Sequence, residues 1–271
     1  AMGGLDADLI FGRDGDDVLL GDNGEVLYNG AGAGLAVVTA VRTLGTDGGI
    51  DAIFGEAGGD VAFAGAAGDY VFGDLTASIE RDDDDFNVTE DGFDSVTGAG
   101  DDILGGDFGE LLLNPDGTYD VLQSTDPASG GADLIEGHEG NDIAVGGAFG
   151  DEIHGEAAKD RYGLLSSFGS DTLIGDSGYI KFDAGSTTGY DEIRTDAPAI
   201  GGSDVILGNE GADIVLGGMA GDFLYGDRIA NVDFTLATRL TELVLASGNF
   251  MGEDLTSGED TLIGDNGQLI F

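Results

Sequence analysis

One nine-residue phrase, G-x-x-G-x-D-x-(aliphatic)-x, recurs along the chain and limits what it can fold into more than any other feature. Its clearest runs place Asp at 51, 60 and 69, at 133, 142 and 151, and at 204, 213 and 222. Single or paired copies sit at Asp8 and Asp17, Asp94 and Asp102, Asp171 and Asp260. Two residues after each of these Asp comes an apolar residue: Ile10, Leu19, Ile53, Ala62, Val71, Val96, Leu104, Ile135, Ala144, Ile153, Leu173, Ile206, Val215, Leu224 and Leu262. Four residues after each comes Gly, with Ala64 the one exception. Apolar patches this short, bounded by Gly and Asp, suit very short strands and not helices. Two phrases then make one coil of roughly eighteen residues, and coils stack at about the 4.8 Å spacing of paired strands. The inward aliphatic residues form stacked columns, which on this reading are the only core.

The same stacking brings acids together. Asp51 is expected above Asp69, Asp133 above Asp151, Asp142 above Asp160, and Asp204 above Asp222. Carboxylates about 5 Å apart repel, more so in a partly dry turn. A hard divalent cation between them reverses the sign. Calcium accepts six to eight oxygens in flexible geometry, including the carbonyls that Gly-rich turns expose, whereas magnesium holds its waters and demands a stricter octahedron. The candidate ligands are therefore Asp8, Asp17, Asp51, Asp60, Asp69, Asp94, Asp102, Asp133, Asp142, Asp151, Asp160, Asp171, Asp204, Asp213, Asp222 and Asp260, serving several ions. At Asp160 the phrase breaks down, because Tyr162 and Leu164 follow.

Composition agrees with an acid placed by position. Asp+Glu number 54 against Lys+Arg 9, a formal charge of −45. Asp outnumbers Glu 40 to 14, which puts most of the charge in turns. Such a chain does not bind nucleic acid or anionic membrane electrostatically, and no apolar run reaches membrane-spanning length. A solvated surface adapted to salt explains bulk acidity but not the register. With no Cys, disulfide and thiolate chemistry are absent.

These residues resemble the repeats-in-toxin (RTX) group, whose nonapeptide is G-G-x-G-x-D-x-U-x with U aliphatic. Segments 137–145 (Gly137, Gly140, Asp142, Ala144) and 208–216 (Gly208, Gly211, Asp213, Val215) fit well. Phe149 and Ala220 replace the fourth-position Gly, and Asp102 lies eight residues after Asp94, a one-residue deletion. The resemblance implies an all-β, right-handed parallel β-roll with calcium between successive turns, exported by dedicated bacterial secretion. The expected fold is that β-solenoid, interrupted by loop or hairpin insertions near 74–91, 156–169 and 227–258.

A longer period overlies the short one. The phrase G-D-x-G-x-(aliphatic)-x-(apolar) occurs at 21–28, 106–113, 175–182 and 264–271, followed where the chain continues by an extension closing on Thr-Asp. Gly-Gly pairs at 48–49, 130–131 and 201–202 introduce new runs. The chain divides into a truncated unit (3–49), two full units (50–131 and 132–202) and a unit cut short (203–271), one repeat array taken from a longer protein. In the arms, Asp22, Asp107, Asp176 and Asp265 either ligate a cation or close turns on backbone N–H groups. The run Arg81–Asp85 reads as a solvated loop, and Leu236, Leu240, Leu243 and Val244 have the spacing of a short helix covering the roll.

No catalytic constellation emerges, so no enzyme is expected. His138 and His154 read as surface turn residues, with no third His or Cys to complete a zinc set. The expected function is a calcium-binding structural or adhesive segment of a secreted bacterial surface protein, folding on calcium outside the cell. Its partners would be calcium, neighbouring repeats of the same parent protein, or cell-surface ligands. The alternative is a calcium-dependent folding and secretion module at the carboxy-terminal end of a secreted hydrolase or epimerase. A sugar- or ice-binding module is a third class; ice binding would need a flat Thr or Asn array, which the nine-residue period lacks.

Overall fold

The computed structural model describes residues 1–29, 36–74, 78–82, 85–89, 100–156, 169–185, 189–209, 211–227, 250–252, 260–264 and 268–270. Every element among them is a strand, and no helix there is long and apolar enough to cross a membrane. The three-residue aliphatic patches form the strands of two parallel sheets. The first runs through β1 (Leu9–Asp14), β5 (Ala52–Ala57), β7 (Tyr70–Phe72), β13 (Leu134–Glu136), β15 (Glu152–His154), β19 (Val205–Asn209), β21 (Phe223–Asp227) and β22 (Phe250–Gly252). The second runs through β2 (Val18–Leu20), β6 (Val61–Phe63), β10 (Ile103–Gly105), β14 (Ile143–Gly147), β16 (Thr172–Asp176), β20 (Ile214–Leu216) and β23 (Thr261–Ile263). The chain alternates between them, coil after coil, as a parallel β-roll does.

Register sets the core. Ile10, Ile53, Val71, Ile135, Ile153, Ile206 and Leu224 pair in one row across the first sheet. Leu19, Ala62, Leu104, Ala144, Leu173, Val215 and Leu262 pair in a row across the second. The two rows meet in one buried cluster. Of the fifteen aliphatic positions named from the sequence, only Val96 falls outside the described residues.

These columns are not the only core, which corrects the sequence expectation. The G-D-x-G arms and their extensions are β-hairpins: β3 (Gly24–Tyr28) with β4 (Val38–Thr43), β11 (Gly109–Leu113) with β12 (Tyr119–Ser124), and β17 (Gly178–Phe182) with β18 (Tyr190–Thr195). With β24 (Gln268–Ile270) they join edge to edge into a seven-stranded antiparallel sheet. Val26, Val41, Leu111, Leu122, Ile180, Ile193 and Leu269 stand in one register row across all seven strands. That row packs on the far face of the second parallel sheet, against Leu20, Phe63, Ile103, Ile174 and Leu216. The strands of the middle layer are therefore covered on both faces, which is why three consecutive apolar residues occur in Val18–Leu20, Val61–Phe63 and Ile214–Val215–Leu216. A separate two-stranded hairpin pairs β8 (Ser78–Asp82) with β9 (Asp85–Thr89), so the Arg81–Asp85 stretch expected as loop contributes to strands.

Candidate metal centre

Each strand of the roll except β22 is preceded by an Asp, and these Asp line two edges. On the first edge the backbone N–H of each donates to Oδ1 of the Asp one coil on, in the order Asp8, Asp51, Asp69, Asp133, Asp151, Asp204, Asp222, over 2.6–3.2 Å. On the second edge the order is Asp17, Asp60, Asp102, Asp142, Asp171, Asp213, Asp260, over 2.7–2.9 Å. Fourteen of the sixteen candidates thus stand in two seven-membered ladders. Asp94 and Asp160 lie outside the described residues, as do Asp265 and the helical spacing at 236–244.

Stacking on the first edge includes the expected pairs Asp51–Asp69, Asp133–Asp151 and Asp204–Asp222. The second edge differs. Asp142 stacks on Asp171, not on Asp160, and its neighbours are 29 to 47 residues apart at every step. The eighteen-residue rule fails there because each coil crossing that edge carries either a hairpin or an insert.

The ladders are dry and half-satisfied. Asp51, Asp60, Asp69, Asp102, Asp133, Asp142, Asp151, Asp171 and Asp204 are buried, and each leaves Oδ2 buried with no hydrogen-bond partner. Burial, and then neighbouring acids, push the Asp69 carboxyl up to about 10. Burial is the first cause at Asp51 (about 7), Asp60 (about 6), Asp102 (about 8) and Asp133 (about 7) as well. Asp142, Asp151, Asp171 and Asp204 are raised well above the usual carboxylate range by burial. Unanswered buried acceptors of this kind are costly.

At eight of these nine acids, all but Asp69, a glycine stands against the unanswered oxygen and a backbone carbonyl. A Cβ on Gly137 would stand 2.3 Å from Asp142 Oδ2 and 2.5 Å from the Gly155 carbonyl oxygen. The Gly four residues after the Asp gives this close approach, with Ala64 the one place where a Cβ is accommodated; among the described residues its φ is not positive. Left-handed backbone is used elsewhere in the phrase. In seven uninterrupted phrases the second and fourth residues have positive φ, as in His138 (78°) with Gly140 (137°); in the phrase ending at Asp8 only the second residue, Gly4, does. Phe149 and Ala220 hold the fourth position at φ 73° each, so these departures leave the register intact and store strain instead. Among the described residues no three acidic or histidine side chains converge as a metal cluster. The donor set is instead carboxylate pairs with backbone carbonyls, all oxygen, which suits a hard cation of high coordination number.

The sequence left the arm acids open between ligand and turn closure; in the structure Asp22, Asp107 and Asp176 accept from backbone N–H groups, and Asp22 Oδ1 is buried without a hydrogen-bond partner. Asp107 accepts from Gly131 N–H at 3.0 Å and from Ala148 N–H. Asp176 accepts from Gly202 N–H at 2.8 Å and from Met219 N–H. Asp22 occupies the same place, accepting from Ala66 N–H at 2.7 Å. The inserts use the same device, unforeseen from the sequence: Glu156 accepts from Gly169 N–H at 2.8 Å, and Asp74 from Gly100 N–H at 3.5 Å. Each acid is the second residue of a phrase, and each of these glycines that answers it, Gly100, Gly131, Gly169 and Gly202, is the fourth residue of the same phrase, resumed after the interruption. The signal was in the sequence: Gly73-Asp74, Gly106-Asp107, Gly155-Glu156 and Gly175-Asp176 put an acid where unbroken phrases carry a left-handed residue.

His154, expected at a surface turn, is a buried strand residue with Nε2 2.8 Å from Glu152 Oε1. Burial lowers its pKa. His138 does sit in a turn.

A family model described as "RTX calcium-binding nonapeptide repeat (4 copies)" matches residues 1–25, 46–76, 128–153, 137–162 and 199–228. No curated protein and no solved structure matches the sequence.

Proposed function

We propose, from the premise that this chain carries RTX calcium-binding nonapeptide repeats in the matched stretches, that it is a calcium-folded structural segment of a protein working outside the bacterial cell. The observation that carries this reading is the pair of Asp ladders, in which the buried Oδ2 atoms of Asp51, Asp60, Asp102, Asp133, Asp142, Asp151, Asp171 and Asp204 have no hydrogen-bond partner and stand against glycines and backbone carbonyls. Successive Asp of each ladder, Asp51 with Asp69 or Asp102 with Asp142, would hold the ions together with carbonyls such as those of Gly146 and Gly155. Bound calcium supplies the positive charge and the oxygen coordination that these carboxylates lack.

The chain's own residues explain the dependence. Without a cation the ladder acids must be protonated or repel one another, and the aliphatic rows cannot assemble unless the turns close. Calcium sites of extracellular modules work at about 10⁻⁴–10⁻³ M. A chain poised in that range stays unfolded where calcium is scarce and folds where it is abundant, which supports action after export and a role in adhesion or a surface fibre. The test is far-ultraviolet circular dichroism of the whole chain during calcium titration, with a calorimetric count of bound ions. A coil-to-β transition in the millimolar range, reversed by chelator, is expected. A β-spectrum that survives exhaustive chelation at neutral pH refutes the proposal.

A further inference from the structure

Where the hairpin sheet meets the second Asp edge, the structure has a cleft of about 360 Å³ whose lining includes the ladder acids Asp102 and Asp171. One lip is the row of residues that precede the ladder acids, Asp101, Asn141 and Ser170, all exposed. They are fixed in series. Asp101 Oδ1 accepts from the backbone and side-chain amides of Asn141, Asn141 Oδ1 accepts from Ser170 N–H, and Ser170 Oγ accepts from Ala212 N–H. The other lip is Tyr119 and Tyr190, which flank Phe182 with ring centroids 5.3 and 5.7 Å away. Thr172 donates to the Tyr190 hydroxyl at 3.1 Å. The floor is aliphatic: Ile103, Ile143 and Ile214. Burial first, and then Asp16, Asp102 and Asp101, raise the Tyr119 phenol.

We propose that this cleft binds a neutral sugar. Its volume falls within the range of small-molecule sites, about 300–1,000 Å³. Aromatic rings and an aliphatic floor match the C–H face of a pyranose. The opposite lip combines the Asp101 carboxylate acceptor with the Asn141 amide and the Ser170 hydroxyl, which matches ligands whose every group both donates and accepts. A site for an organic cation would need acceptors alone. Anionic glycans are repelled by a chain of charge −45. The cleft shares Asp102 and Asp171 with the second ladder, so the test alters only Asp101 and Tyr119, neither of which belongs to a ladder.

The test is a titration of the folded chain with glucose, galactose, mannose and their β-linked disaccharides, read by calorimetry and by tyrosine fluorescence, which no Trp obscures. Glucuronate and tetramethylammonium are the charged probes. Saturable binding of at least one neutral sugar is expected, weakened about tenfold or more in Tyr119→Ala and Asp101→Ala, as the loss of one ring contact or charged hydrogen bond implies. Circular dichroism establishes that the variants fold. If Tyr119→Ala does not, Asp101→Asn at its exposed position decides. Absence of saturation by every neutral sugar, binding unchanged in the variants, or preference for tetramethylammonium overturns the proposal.

Discussion

Stripping the cations and changing the pH isolates the ladders from every other source of stability. The Asp51 carboxyl is held at about 7 and that of Asp60 at about 6, against 3.8 for an ordinary Asp. Between 3.8 and those values the metal-free fold binds protons that the unfolded chain has released, so its stability falls as pH rises through that window. At about 1.4 kcal/mol per pH unit, keeping both ionised in the metal-free fold at about pH 8 costs roughly 4 and 3 kcal/mol. Native domains have only about 5–15 kcal/mol in total. Two of the fourteen ladder acids therefore suffice to consume most of it, and the remaining raised acids act in the same direction. The metal-free chain is expected to be largely unfolded at about pH 8 and to regain β-structure as pH falls toward about 5, where these groups protonate. Sodium chloride at about 1 M should not substitute for calcium, because screening acts on exposed charge far more than on buried pairs. Circular dichroism and thermal melts in chelator across that pH range provide the assay. A chain that keeps its β-signal and melting temperature at pH 8 without divalent cation refutes the reasoning, and full rescue by salt would assign the charge to a solvated surface.

Gly137→Ala should cost roughly 1–3 kcal/mol or more and remove at least one calcium from the calorimetric count, since its Cβ would stand 2.3 Å from Asp142 Oδ2; an unchanged count tells against the close-approach role of that glycine. Phe149→Gly should raise the melting temperature by a few degrees, because it relieves a left-handed φ worth roughly 1–2 kcal/mol at a side chain that is 57% exposed; a fall in melting temperature would mean that the ring is held by a contact that stabilises. Asp107→Ala should lose about 2–4 kcal/mol by urea denaturation, leaving the N–H groups of Gly131 and Ala148 without their acceptor. Leu111→Ala, fully buried between hairpin sheet and roll, should cost about 2–5 kcal/mol; a negligible loss would show that the hairpin sheet contributes little to the core.

The roll was legible because its spacing is local. A fixed offset from Asp to aliphatic to Gly puts the ladders and the first core on the page before any coordinates. What lay beyond reach was pairing across interruptions. Asp102 stacks on Asp60 and Asp142, and Asp171 on Asp142 and Asp213, because the phrase survives being cut, and a count in eighteens does not see through the cut. The hairpin sheet was missed for a related reason. Each arm, such as Glu110–Leu113 with Tyr119–Ser124, alternates too briefly to stand as a sheet alone, and only side-by-side arrangement of three hairpins builds the row through Leu111 and Ile180. The Gly two residues after the aliphatic was legible as a position, while the structure gives its role as space for a carboxylate oxygen.

The cut phrase explains how one repeat tolerates such different interruptions. In an unbroken phrase two left-handed residues reverse the chain between the glycine at its start and the Asp at its end. Where residues 75–99, 108–130, 157–168 or 177–201 replace the third position, that reversal is no longer made by adjacent residues, and the two stumps must be held by something else. A carboxylate on the second residue does so by accepting the N–H of the fourth, as Glu156 does for Gly169 and Asp176 for Gly202. The coil above and the coil below then meet the same backbone whether one residue or two dozen intervene, so the ladders continue through hairpin and insert alike. The same acidic chemistry thus serves two ends at two offsets. The phrase's last acid lines the cation edge, and its second acid splices the chain. Part of the −45 charge follows from the architecture itself, since every coil requires two acids of the first kind and every interruption one of the second. Adaptation to salt is needed only for the acids that neither role employs.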